Sequence, residues 1–168
     1  MKFLIVVDMQ NDFITGALGS KAAESIVPRV AKKIKDFDGK VIFTMDTHGE
    51  NYLSSQEGKK LPVPHCIKST WGWQICDELL PYAETVIEKP TFGSTALPEL
   101  ILSFGEEIEE IELCGLCTDI CVISNAMILK AAFPEVKITV DGSLCAGVTP
   151  QSHENALCAM RAVQIETK

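Results

Sequence analysis

Residues Glu110 to Ala132 read EIELCGLCTDICVISNAMILKAA, and this stretch decides the fold. It opens on a strand-like run, Glu110–Cys114, and closes on a helical pattern, Asp119–Ala132. Between them lies a glycine-led turn, Gly115-Leu-Cys-Thr-Asp-Ile-Cys121. A strand that passes straight into a helix is half of a β-α-β unit, whose helix returns the chain to a parallel neighbour. The same alternation continues in both directions. Further strand-like runs are Lys2–Val7, Lys40–Met45, Thr85–Glu88, Val136–Val140 and a short one near Val163–Glu166. Helical patterns fall at Glu24–Asp36, Gln74–Leu80, Leu97–Phe104 and Pro150–Ala162. The pattern predicts an α/β fold: one three-layer α/β/α domain over residues 1–168, built on a mostly parallel sheet of about six strands. Glu109–Leu113 alternates charged and apolar residues, which predicts a partly exposed or edge strand.

The bulk properties narrow the class. A chain of 168 residues suits one core, and an apolar content of 46% is that of a globular protein. No apolar run approaches the roughly 20 residues that span a bilayer. The opening run Phe3–Val7 is too short for a secretory leader, so a cytoplasmic protein is expected. With 23 acidic and 15 basic residues the net charge is −8, which disfavours nucleic acid and anionic membrane as partners. Glu106, Glu107, Glu109 and Glu110 read as a solvated turn. Seven cysteines without a disulfide-like framework are expected to be reduced, with one or two used for chemistry.

Open parallel sheets bind ligands outside the carboxyl ends of their strands. Asp8 follows the first strand, Asp46 and His48 the second, Lys89 the third, and Gly115 to Cys121 the fourth. A thiol, two carboxylates, an ammonium and an imidazole therefore converge on one rim. Thr118 or Asp119 is expected to cap the helix that starts there, setting Cys121 in its first turn. The helix dipole and free N–H groups would lower the thiol pKa and receive an oxyanion. Asp8 can take the thiol proton and return it to a leaving amine, and Lys89 can stabilise developing negative charge. Each residue also has a plainer reading: a buried structural cysteine, a turn aspartate, a solvated lysine. Cys114, Cys117 and Cys121 have no second cysteine pair to complete a tetrahedral metal site.

The segment from Thr47 to Thr70 shows neither period and is rich in Gly, Pro, Ser and Asn. Irregular stretches of this length inside a compact domain are usually functional or disordered. It carries two of the three histidines. Asp46, His48 and His65 form a possible ligand set for zinc, iron(II) or manganese. His153, on the last helix, reads as structural or surface.

Taken together these segments resemble the isochorismatase-like cysteine hydrolase superfamily, and within it the nicotinamidase branch. The resemblance runs from Val6-Val-Asp-Met-Gln-Asn-Asp-Phe13 through Gly115-Leu-Cys-Thr-Asp-Ile-Cys121 to Val140-Asp-Gly-Ser-Leu-Cys-Ala-Gly147. It implies a catalytic triad of Asp8, Lys89 and Cys121. It also implies a cis peptide between Leu116 and Cys117, and an oxyanion hole made by the N–H groups of Cys117 and Cys121. A divalent metal, zinc or else iron or manganese, would sit on Asp46, His48 and His65 and hold a pyridine nitrogen, with Phe13 lining the ring pocket. The chain departs from the branch at Thr47 and Pro62, where aromatic residues are common, and has no histidine between His48 and His65. The activity implied is hydrolysis of a small amide, nicotinamide to nicotinate and ammonia, through a Cys121 thioester. Other small amides, ureides or carbamoyl compounds are the alternative substrates. A thiol redox or zinc-storage protein would leave Asp8, Lys89 and the histidines without a task, and thiol reactivity at Cys121 would argue against a silent member of the fold that acts by binding a partner. The expected partner is a small molecule, and the chain is expected to form a homo-oligomer, as small α/β hydrolases often do.

Overall fold

The computed structural model describes residues 1–168. Six strands, β1 (Lys2–Val7), β2 (Lys40–Asp46), β3 (Val86–Lys89), β4 (Glu110–Leu116), β5 (Lys137–Ala146) and β6 (Glu166–Thr167), form one sheet in the order β3-β2-β1-β4-β5-β6. Every neighbouring pair is parallel. The helices are α1 (Asn11–Ile14, a single turn), α2 (Lys21–Asp36), α3 (Gln56–Lys60), α4 (Leu97–Ser103), α5 (Ile123–Ala132) and α6 (Pro150–Ala162). Right-handed crossovers place α2 on one face and α4, α5 and α6 on the other. No helix is long and apolar enough to cross a membrane.

The core explains why β1 reads as an unbroken apolar run. Phe3 to Val7 are all fully buried, as expected for a central strand covered on both faces. α2 closes one face with Ala23, Ile26, Val27, Val30, Ala31 and Ile34, spaced three and four apart, and Ser20 caps it by accepting the Ala23 N–H at 3.1 Å. Strand order reverses between β1 and β4. Ligand crevices in such sheets open at this switch point, so Asp8 and the turn after β4 stand on either side of it.

Three expectations are corrected. β4 lies between β1 and β5 and is no edge strand. Its charged residues are matched by partners: Glu112 is buried against Lys33 of α2 at 2.7 Å, and Glu110 meets Lys137 at 2.9 Å. The segment Gln74–Leu80 is not helical. Its backbone is used by the chain leaving β1, with Cys76 N–H donating to Met9 O at 3.0 Å and Asn11 N–H to Gln74 O at 2.9 Å. The last strand is shorter and later than predicted, because Gln164 turns the chain with φ +65° before β6 begins.

Lys33→Met should expose the cost of the buried carboxylate. Glu112 would keep only Lys168, 3.8 Å away. Breaking a buried pair costs roughly 3 kcal/mol, a fall in Tm of about 6–12 °C for a domain of this size. An unchanged Tm would show that Glu112 does not need Lys33.

Candidate active site

Asp8 ends β1 with φ +47°, in the left-handed region that aspartate tolerates better than most residues. This conformation turns its carboxylate inward, where it is wholly buried. Thr44 Oγ1 donates to Asp8 Oδ1 at 2.6 Å. Lys89 Nζ lies 2.7 Å from Oδ2, an ion pair between two wholly buried side chains. The Lys89 ammonium also reaches Asp46 Oδ1 at 3.2 Å, Thr91 O at 3.0 Å and Cys121 Sγ at 3.5 Å. The ends of β1 and β4 approach closely because Gly115, at φ +114°, faces Val7: a Cβ there would stand 2.2 Å from the Val7 carbonyl oxygen.

The turn that carries Cys121 differs from a capped α-helix start. The Leu116–Cys117 peptide is cis, and residues Thr118–Val122 form a π-helical turn entered from Cys117. The N–H groups of Ile120 and Val122 both donate to Cys117 O at 3.1 Å, while the Cys117 N–H donates to no group of the chain. Thr118 and Asp119 do not cap the helix, contrary to expectation. Thr118 Oγ1 pairs with His153 Nδ1 at 2.7 Å, and Asp119 Oδ1 accepts the Val148 N–H at 3.1 Å, tying the turn to α6 and to the loop before it. The thiol also behaves differently from the expectation. Burial, reinforced by the Asp8 charge and opposed by Lys89, pushes Cys121 well above the ordinary cysteine range. Burial pushes Asp8 upward too, against the pull of Lys89. Burial disfavours the Lys89 ammonium, but Asp8, Cys121 and Asp46 outweigh it and keep the group charged. The resting arrangement is therefore a neutral thiol beside a carboxyl group whose proton affinity is raised by burial, with the Lys89 ammonium between them.

A second cluster adjoins the first through the contact of Lys89 with Asp46. His48 Nε2 is 2.9 Å from Asp46 Oδ2 and His65 Nε2 is 3.6 Å from it. Glu57 Oε1 lies 3.7 Å from His48 Nε2 and 3.5 Å from His65 Nε2. The ligand atoms of these four residues are all within 4.8 Å of one another. Burial works against ionisation of Asp46, but hydrogen bonds from both histidines and the Lys89 charge hold it well below the usual carboxylate range. Two carboxylates and two imidazoles turned onto one point fit a divalent cation.

Neighbours fix these donors. Gln10 grips the Asp46 backbone at both ends, Nε2 donating to its carbonyl and Oε1 accepting its N–H, each at 2.8 Å. His65 Nδ1 donates to Val63 O at 2.8 Å, which leaves Nε2 for the cluster. Tyr52 packs on both imidazoles, with centroids 4.8 and 5.0 Å away. Glu57 escaped the sequence reading because α3 has only five residues and no apolar stripe. The signal available was Ser55, which caps α3 by accepting the Gly58 N–H at 2.9 Å and thereby sets Glu57 in its first turn.

Phe13, Leu61, His65, Phe92, Cys117 and Cys121 line a cavity beside the two clusters, with Asp46 and Glu57 at its polar end. The Phe13 ring stands 5.5 Å from that of His65. Asp8, Lys89, Cys121, Cys117, Phe13, Asp46, His48 and His65, all singled out from sequence, thus border this cavity or stand directly behind its wall. A buried thiol, a carboxylate and an ammonium thus adjoin a set of two carboxylates and two imidazoles beside one mostly apolar cavity.

Comparison with known proteins identifies the family and its fold. A family model described as the isochorismatase domain matches residues 2–168. An isochorismatase family protein of Bacillus subtilis, PncA, is 31% identical, the match covering 93% of this chain and 92% of that protein. A crystal structure of nicotinamidase PncA from the same organism superimposes with a TM-score of 0.78 at 29% identity, over 99% of this chain and 98% of that one. A pyrazinamidase of Pyrococcus horikoshii in complex with zinc gives a TM-score of 0.83 at 26% identity, with the same coverage of 99% and 98%.

Proposed function

This chain belongs to the isochorismatase domain family and is an amidohydrolase, and on that premise we propose that it converts nicotinamide to nicotinate and ammonia through a thioester on Cys121. One observation carries the reading. Lys89 joins Asp8 to Cys121 beside the cavity, and Asp46, His48, Glu57 and His65 bring four donors together next to it. We propose that residues 1–168 act as one domain. All seven cysteines are free thiols, which suits the reducing cytoplasm, where we place the protein as a homo-oligomer.

The residues divide the work as follows. Asp8 takes the thiol proton as Cys121 sulfur bonds to the amide carbon, and the carbonyl pair moves onto oxygen. The N–H groups of Cys117 and Cys121 receive that oxyanion. Collapse breaks the C–N bond, and Asp8 returns the proton so that ammonia leaves. Water then loses a proton to Asp8 and adds to the thioester carbon. A second collapse expels the thiolate, which recovers its proton, leaving the acid and the free enzyme. The raised affinity of Asp8 for a proton favours the first transfer. Lys89 keeps the carboxylate and sulfur in register and offsets negative charge as it moves between them. A divalent metal on Asp46, His48, Glu57 and His65 would hold the pyridine nitrogen and so orient the amide toward Cys121. Phe13 would flank the ring.

Ammonia release from nicotinamide and benzamide by the metal-replete protein tests the substrate. Losing the ring nitrogen should lower kcat/KM about tenfold or more, the effect of one missing polar contact in a site built for it. Equal rates on both would rule out recognition of the nitrogen. Turnover of a ureide or carbamoyl compound, with none of nicotinamide, would replace the substrate and keep the nucleophile.

A further inference from the structure

Asn125 is wholly buried, lies one turn after Cys121 and belongs to none of the groups assigned above. An asparagine inside a helix is a poor helix former, because its amide competes for backbone hydrogen bonds. Here that competition is used. One face of its amide serves its own helix: Nδ2 donates to Cys121 O at 2.8 Å. The remaining capacity reaches across to the loop between β3 and α4, with Nδ2 also donating to Phe92 O at 3.3 Å and Oδ1 accepting the Ser94 N–H at 2.9 Å. Both donors and the acceptor are occupied, and the two segments joined are some thirty residues apart.

Those two segments carry the reactive parts. Early in the loop, Thr91 O accepts the Lys89 ammonium at 3.0 Å. The next residue, Phe92, is a wall of the cavity, and its carbonyl is the one Asn125 holds. On the other side, Asn125 holds the carbonyl of the nucleophile itself. We propose that Asn125 is a positioning residue for the hydrolysis, locking the Lys89–Phe92 loop to the Cys121 turn and so setting the approach of ammonium to sulfur, 3.5 Å in this structure. It acts through Cys121, Lys89 and Phe92 and touches no substrate. The proposal rests on Cys121 being the nucleophile and does not depend on nicotinamide being the substrate.

The test compares Asn125→Ala and Asn125→Thr with the parent protein by the rate of Cys121 alkylation with iodoacetamide, read by peptide mass spectrometry, and by kcat and KM for ammonia release. Alanine removes all three bonds. Threonine can restore the bond to Cys121 O, since the neighbouring Ser124 Oγ already donates to Ile120 O at 2.6 Å with the same spacing. The alanine variant should be alkylated about tenfold more slowly, because the ammonium no longer favours the thiolate. Its kcat should fall about tenfold to a hundredfold with KM little changed, the expected result of misplacing reacting groups by up to about 1 Å. Threonine lacks the bonds to Phe92 O and the Ser94 N–H that make the tie, so it should recover little of either. Parental alkylation rate and kcat in both variants, with only Tm lowered, would overturn the proposal and leave Asn125 as a packing residue. If alanine prevents folding, the threonine variant decides alone: a reduced kcat at parental KM supports the tie, and parental kcat refutes it. If the parent protein leaves nicotinamide untouched, the alkylation rates still decide on Asn125.

Discussion

Cys121→Ala is expected to lower kcat for amide hydrolysis by roughly ten-thousand-fold or more, the loss typical when the nucleophile of a covalent mechanism is removed. The sulfur forms the bond that divides one difficult step into two, and no neighbour can replace it. Cys117 borders the same cavity, but its sulfur has no lysine within reach, as Cys121 has in Lys89. The variant should fold. Cys121 is a small buried side chain, and removing one sulfur costs about 1 kcal/mol, a Tm change of about 2–4 °C. Asp8→Asn should cut activity to a similar degree while costing more stability, because Lys89 would keep Asp46, 3.2 Å away, as its only carboxylate. Since the groups act as a unit, the double variant should be little worse than either single one. Activity retained in Cys121→Ala, measured as ammonia release, would dismiss the assignment of the nucleophile.

The second large effect concerns the cation-binding set. Adding divalent metal to chelator-treated protein should raise Tm by about 5–10 °C when its concentration reaches about a hundred times Kd. The size follows from linkage: a ligand at that excess stabilises the folded state by about 2.7 kcal/mol. The physical source is visible in the cluster, where Asp46 and Glu57 present two carboxylates within 4.8 Å of each other and of two imidazoles. A cation relieves that repulsion and ties β2, α3 and the His65 segment together. His65→Ala should abolish most of the gain, and Glu57→Gln should reduce it. Differential scanning fluorimetry with zinc, manganese and iron(II) in turn would also rank the metals. Identical melting with and without chelator would show that the four residues hold no metal.

Much of this site was legible in the amino-acid sequence, for a physical reason. In a parallel sheet every strand delivers its last residue to the same rim, so naming strand ends also names neighbours. Asp8, Asp46, Lys89 and the turn to Cys121 come together by topology alone. What escaped notice depends on contacts that carry no period. Glu57 sits on a single helical turn inside an irregular segment. The Asn125 bonds link residues that only the packed fold brings together. The edge-strand expectation for Glu109–Leu113 failed because alternation signals exposure only when the charged residues lack partners, and Glu112 has Lys33. The lowered thiol expected for Cys121 failed for a related reason. A helix start supplies favourable dipoles, but full burial outweighs them. Gln74–Leu80 lost its helix to the chain leaving β1, which took its hydrogen bonds.

Rapid acid quench during turnover, followed by peptide mass spectrometry, tests the proposed chemistry most directly. With enzyme in excess over nicotinamide, the peptide carrying Cys121 is predicted to gain the acyl group of the substrate, and to lose it as nicotinate appears. An acyl group found on Cys117 or any other residue would contradict the account.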